Sequence, residues 1–192
     1  MSLLGSYIGF QFIGTLYLQS LLGWSSLHTA LAFLPAGAIV ALGSTRVAPI
    51  IDRYGTPRLL AASFAFLTSG YVLFLRLGDN PSYVGLMLPT MLLLGTGFAL
   101  KFPSLNIQAT AGVADHEQGL ASGLLNTSFQ VGGAVGLAAV AAVVSSSGAA
   151  PTLDSFQSAI AVPIAVGTIG LVVAATAFIT PARDRVLARA ES

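Results

Sequence analysis

The chain has 192 residues, 55% of them hydrophobic, and a mean hydropathy of +0.84. Lys, Arg, Asp and Glu together make up 8%, against roughly 25% in an ordinary soluble domain, too little charge to cover a surface in water. That excludes a soluble enzyme and a disordered chain, and a net charge of +1 leaves no electrostatic footprint for nucleic acid.

There is no Cys, so disulfides, thiolate metal sites and Cys nucleophiles are absent. An apolar chain with 21 Gly and 9 Pro reads as a polytopic, all-α integral membrane protein. A bilayer core of about 30 Å takes roughly 20 apolar residues per helix. Six stretches qualify, at 3–22, 29–50, 59–77, 83–102, 120–144 and 158–180. The connections at 23–28, 51–58, 78–82, 103–119 and 145–157 are too short for a separate soluble domain. The expectation is a single six-helix transmembrane domain over 1–192.

Basic residues orient the bundle. Arg46, Arg53 and Arg58 surround the second connection, Lys101 ends the fourth span, and Arg183, Arg185 and Arg189 follow the last. Arg76, beside Asp79, stands on the other side. Both termini are expected in the cytoplasm, with Trp24 and Tyr83 at the outer interface. Nothing hydrophilic precedes the first span and no signal-peptide pattern is evident. The chain reads as starting at a membrane helix that once followed others, a truncated product.

The first span carries Gln11, Thr15 and Gln19 at i, i+4 and i+8, on one face, with Tyr7 a turn earlier. A polar stripe in lipid is costly unless it meets protein or water. It reads either as a cavity wall that touches substrate or as inter-helix hydrogen bonding. Pro35, Pro89, Pro103 and Pro163 fall inside or at the ends of spans, where each can kink its helix. Lys101 is an intramembrane charge and so a functional hypothesis by default. Its alternatives are snorkelling to the interface and a substrate or partner role.

His28 and His116 lie in connections, and Asp115, His116 and Glu117 are consecutive, so they do not converge as a helical metal site would. There is no HExxH helix, GxSxG elbow or phosphate-binding loop. No metal, no cofactor and no enzymatic activity is implied. No Asp or Glu lies within a span, so no carboxylate offers itself as the proton-coupling residue. In the fifth span, Gly119 and Gly123 form one small-xxx-small pair, and Gly132 and Gly136 another. Such pairs let helix backbones approach closely. Asn126 and Gln130 share a face at i, i+4, with Ser122 on the same line. Here too the readings are cavity lining or structural hydrogen bonds.

The second connection reads Asp52-Arg53-Tyr54-Gly55-Thr56-Pro57-Arg58. It resembles the cytoplasmic signature loop of the major facilitator superfamily, D-R-x-G followed by further Arg. Ala48 stands where that family usually has Gly. Tyr17-Leu-Gln19 with Leu22-Gly-Trp-Ser and Leu31-Ala-Phe-Leu-Pro35 resembles the start of the C-terminal half in the fourteen-helix drug:proton antiporter branch. So do Leu94-Gly-Thr-Gly97 with Phe102-Pro103-Ser-Leu, and the glycine-rich stretch 119–136. The resemblance covers Tyr17 to about Phe178.

What it implies is one half of a major facilitator fold: six helices as a 3+3 inverted repeat, about 3–77 and 83–180. The implied function is plasma-membrane transport of small organic molecules, as in drug efflux, by proton-coupled alternating access. Gln11, Thr15, Gln19, Asn126 and Gln130 would then line the substrate cavity. Asp52, Arg53, Gly55 and Arg58 would form a gating loop, in which Asp52 can cap or face a helix N-terminus. The implied partners are the lipid bilayer, a small-molecule substrate, the proton, and a missing N-terminal half or a second copy. The alternative is a non-transporting membrane interaction or assembly protein.

Overall fold

A computed structural model describes residues 2–76, 78, 82–146 and 152–190, with side chains described except at 2–4, 44 and 177–190. The regular structure among the described residues is all helical, with no strand. Seven α-helices follow in order: α1 (Ser2–Leu16), α2 (Ser26–Ser44), α3 (Val47–Tyr54), α4 (Thr56–Phe74), α5 (Leu88–Thr110), α6 (Gln118–Ser146) and α7 (Leu153–Ala190). A π-helical turn, Tyr17–Leu21, extends α1, and another, Tyr83–Met87, leads into α5. Five helices, all but α1 and α3, are long and apolar enough to cross a membrane. With its π turn, α1 forms a continuous rod, and it is set among the others rather than at the margin.

Hydroxyl caps fix where three of these helices begin. Ser25 accepts a bond from the His28 N–H at 3.3 Å, starting α2. Ser82 does the same for the Gly85 N–H at 3.2 Å, starting the turn before α5. At α7, Thr152 and Ser155 bond reciprocally through side chain and backbone, at 2.9 and 3.3 Å. Each arrangement satisfies amide donors that a helix start leaves open. Pro57 and Pro89 sit in the first turns of α4 and α5, where a missing N–H costs nothing. Pro35 and Pro103 lie inside α2 and α5, which continue through them.

Two expectations need correction here. The second span does not run unbroken to residue 50. It stops at Ser44, and a separate amphipathic helix, α3, follows. The apolar i, i+4 pair Val47 and Ile51 is buried against Leu59 and Leu100, while Asp52 and Arg53 face outward. The connection at 51–58 is therefore helical except at Gly55. The fourth span is also longer than expected, running to Thr110 through Pro103. Leu77 and Asp79 lie outside the described residues, as do the side chains of Arg183, Arg185 and Arg189.

The core joins the α1 rod to the five long helices. Phe10, Ile13 and Tyr17 of the first rod meet Leu67, Tyr71 and Phe74 of α4 and Met91 and Leu94 of α5. Ala32, Val140 and Phe156 bring in α2, α6 and α7. Phe10 stands edge-on to Phe74 at 4.9 Å, and Tyr17 edge-on to Phe74 at 5.6 Å and Phe156 at 6.0 Å, the arrangement aromatic quadrupoles favour. By contrast, Leu27, Leu34 and Leu42 of α2 and Leu120, Leu124 and Val135 of α6 stay exposed. In water such faces would be untenable; in a bilayer they are ordinary.

Candidate functional site: an aromatic wall between two polar stripes

The glycines set how α1 and α6 lie together. Gly5 meets Gly132 and Gly136, and Gly9 meets Gly136 and Val140. Four residues forward on α1 is thus four forward on α6, so the two helices run parallel. Their backbones approach closely because neither side carries a Cβ at the crossing. Gly119 and Gly123 behave differently: a Cβ on either would meet nothing within 4 Å. The expectation that both pairs pack is corrected for Gly119 and Gly123, which lie beyond the reach of α1.

The same register places the polar stripes. Gln11 and Gln130 are exposed, as is Asn126, while Thr15 and Gln19 are half-buried. Gln11 stands level with about residue 140 of α6, so Gln130 lies about ten residues, or ~15 Å, away along the axis. Thr15 and Gln19 continue toward the Trp24 end, and Asn126 toward the Arg53 end. The two stripes therefore do not face each other at one level.

Aromatic rings bridge the interval. Tyr7 of α1 lies 4.4 Å from Phe98 of α5, and Phe98 lies 6.1 Å from Phe102. Phe102 in turn lies 5.9 Å from Phe129 of α6. Gln11 is one turn beyond Tyr7 on α1, while Gln130 follows Phe129 in sequence but lies about 100° around α6 from it. The result is a row of four rings crossing three helices, with Phe102 exposed and Phe129 buried at its α6 end. The sequence singled out Phe102 only within a motif and did not single out Phe98, although their i, i+4 spacing was the available signal; their partners on α1 and α6 could not be read from it.

The charged residues separate into two groups. Asp52, Arg53 and Arg58 are exposed at the end of the bundle opposite Trp24. Arg53 lies over the Tyr54 ring at 5.4 Å. No side chain caps the first turn of α4, so Asp52 does not act as its cap: it sits on α3, before the Gly55 break. Lys101 does not snorkel. It is 1% exposed, on the face of α5 that also presents Gly97 to α4, and its ammonium lies 5.8 Å from the Phe64 ring. A cation over an aromatic face in a dry setting is attracted to the ring quadrupole. Lys101 is thus turned away from the wall formed by Phe98 and Phe102. Among the described residues no group of acids and His could hold a metal ion.

The described residues thus form a bundle of long apolar helices interrupted by one short amphipathic helix. Residues 1–137 match the family model for the Major Facilitator Superfamily, and the chain belongs to that superfamily of integral membrane transporters. It is 38% identical over 127 residues to the puromycin resistance protein pur8 of Streptomyces alboniger, covering 65% of this chain and 25% of that one. It is 33% identical over 171 residues to the cephamycin export protein CmcT of Amycolatopsis lactamdurans, covering 88% of this chain and 35% of the relative. A lincomycin resistance protein of Streptomyces lincolnensis is 29% identical over 177 residues, with 92% and 36% covered. The chain spans about a quarter to a third of the length of these curated relatives.

Proposed function

We propose that this chain is the C-terminal half of a drug exporter. It moves small amphipathic organic molecules out across the plasma membrane, in exchange for protons, by rocking against a second six-helix half. Three relatives named for antibiotic resistance or export support the substrate class. Their greater length supports the reading as a half. The observation that carries it is the row of rings Tyr7, Phe98, Phe102 and Phe129 across α1, α5 and α6, with the exposed amides Gln11 and Gln130 on the two outer helices.

The 3+3 repeat is supported by the packing. α1 lies on α6 as α2 lies on α5, and α4 lies on α5 as α7 lies on α1. These four contacts map onto one another when α1, α2 and α4 are exchanged with α5, α6 and α7, although the α6–α7 contact has no comparable α2–α4 counterpart. The inner end is the one bearing Asp52, Arg53 and Arg58, which puts both termini in the cytoplasm and Trp24 at the outer face. Asp52, Arg53 and Arg58 then serve as gating charges at the inner mouth, exposed here and free to meet the partner half.

Efflux of an amphipathic dye from cells carrying the complete transporter tests this. Gln130→Leu and Gln11→Leu should each cut efflux at least fivefold at unchanged membrane abundance, and Arg53→Gln should slow it with substrate affinity kept. Unchanged efflux in both glutamine variants would overturn the cavity assignment. Complete absence of flux in the wild type would leave the assembly-protein reading in its place.

A further inference from the structure

Between the span that ends at Gly43 and the one that begins at Thr56, the chain forms α3. The apolar side of this helix, Val47 and Ile51, is buried on Leu59 and Leu100. The other side is cationic. Arg46, at the start of α3, and Arg53 are seven residues apart, two turns, and so share one face about 10 Å apart. Both are exposed, as is Arg58 in the first turn of α4. We propose that this outward face of α3 binds an anionic phospholipid, with the lipid phosphate between Arg46 and Arg53.

Arg53 is positioned for that contact. Its guanidinium lies over the Tyr54 ring at 5.4 Å. A guanidinium resting on a ring keeps its edge donors open, and that edge pairs with phosphate in a bidentate fashion. Neither Arg46 nor Arg53 makes an ion pair among the described residues. Asp52 lies about 100° around α3 from Arg53, and the stretch from Arg46 to Arg58 carries three arginines to this one carboxylate. Ile50 and Tyr54 are 38% and 49% exposed. They form an apolar rim between the two arginines and the buried side.

The placement of α3 favours a lipid over a soluble anion. Residues 47–54 lie outside both spans and next to their ends, in the layer where headgroups meet acyl chains. A helix there beds its apolar residues in the acyl boundary and turns its basic residues to the headgroups. A phospholipid gains from both, whereas a free phosphate meets the charge and gains nothing from Ile50 and Tyr54. Each arginine near an anionic membrane surface strengthens the attraction roughly fivefold. A merely basic end of the bundle would need no register between its arginines; here two stand in line on one face. The inference rests on α3 alone and does not depend on transport.

The test is native mass spectrometry of the purified chain released from detergent, titrated with dioleoyl phosphatidylglycerol and with dioleoyl phosphatidylcholine. Phosphatidylglycerol should bind at a concentration at least tenfold lower. The double variant Arg46→Gln, Arg53→Gln should bring the two lipids within about twofold of each other. Arg76→Gln, an exposed arginine at the other end of α4, should leave the preference intact. Raising ammonium acetate from about 50 to about 500 mM should cut the wild-type preference at least threefold, a measurement that needs no variant to fold. Equal binding of the two lipids by wild type, a preference that survives the double variant or the salt, or an equal loss in Arg76→Gln would each overturn the proposal. So would displacement of phosphatidylglycerol by inorganic phosphate at matched concentration, which would mark a site for small anions. Because binding is read without flux, all these outcomes leave the transport reading untouched.

Discussion

Gly136 lies against the backbone of Gly5 so closely that a Cβ on Gly136 would fall 2.6 Å from the Gly5 carbonyl carbon and oxygen. Neither helix can move aside without disturbing Gly132 and Val140 as well. Gly136→Leu should therefore separate α1 from α6, at a cost of about 1–3 kcal/mol for overpacking. Gly123→Leu, with open space around the position, should leave the thermal midpoint within a degree or two. Thermal unfolding in detergent, followed by circular dichroism, compares the two. Equal midpoints would mean that the crossing is not held by the glycines.

The Gly132–Gly136 spacing, the run of long apolar helices and the motif around Asp52 were legible because each is local, whereas the count of six was not matched: five of the described helices are long and apolar enough to cross a membrane. A run of apolar residues and a four-residue repeat need no partner to be seen. The aromatic wall was not legible: Phe98 and Phe102 are one turn apart, yet Tyr7 and Phe129 come from helices about 90 and 27 residues distant in sequence and meet them only through the Gly5–Gly136 register. The same register staggers Gln11 and Gln130, which sequence placed on helix faces but not at heights. For Lys101 the sequence left snorkelling and an intramembrane role open, because distance from a span end does not decide between them; the absence of a side chain at Gly97 lets α5 lie tight on α4 and seals the lysine inside.

Gly55 has φ +80° and ψ 147°, and its N–H donates to the Ile51 carbonyl at 2.7 Å. This conformation is almost confined to glycine, and another residue there costs about 1–3 kcal/mol. Gly55→Ala should lower stability by that amount by forcing α3 and α4 either to fuse or to part. Asp52→Asn and Arg53→Gln, both at exposed positions, should change stability by less than about 0.5 kcal/mol. Denaturation midpoints of the three variants in the same detergent check this, and a stable Gly55→Ala protein would place the break elsewhere.

Lys101 supplies a test of what the buried cation does. Lys101→Met keeps the length and apolar stem and removes the ammonium, its charge and its N–H donors together, so the packing of the stem on α4 should survive and the thermal midpoint should fall by less than in the Glu variant. Lys101→Glu places an anion near the face of Phe64, where the ring quadrupole repels it and burial penalises it. It should fail to accumulate or unfold at least ten degrees earlier. A Met variant as damaged as the Glu variant would show that the ammonium itself holds the helices.

Tyr17 opens the π-helical turn that extends α1, and its hydroxyl donates to the Gly78 carbonyl at 2.6 Å, joining the end of the first rod to the chain after α4. The ring separately packs on Phe74 and Phe156. The two contributions can be divided. Tyr17→Phe keeps both ring contacts and deprives the carbonyl of its donor, a loss of about 1 kcal/mol and up to about 3 where the acceptor stays dry. Tyr17→Ala also empties a fully buried aromatic site, for a total of about 3–5 kcal/mol. π turns are wide and locally weak, so the hydroxyl bond should also govern local opening. The Leu22 N–H, bonded to the Tyr17 carbonyl at 3.2 Å, should exchange with deuterium several-fold faster in Tyr17→Phe than in wild type, with amides at the centre of α4 unchanged. Uniform acceleration across the chain would mean that the bond contributes to global stability and does not restrain this turn in particular.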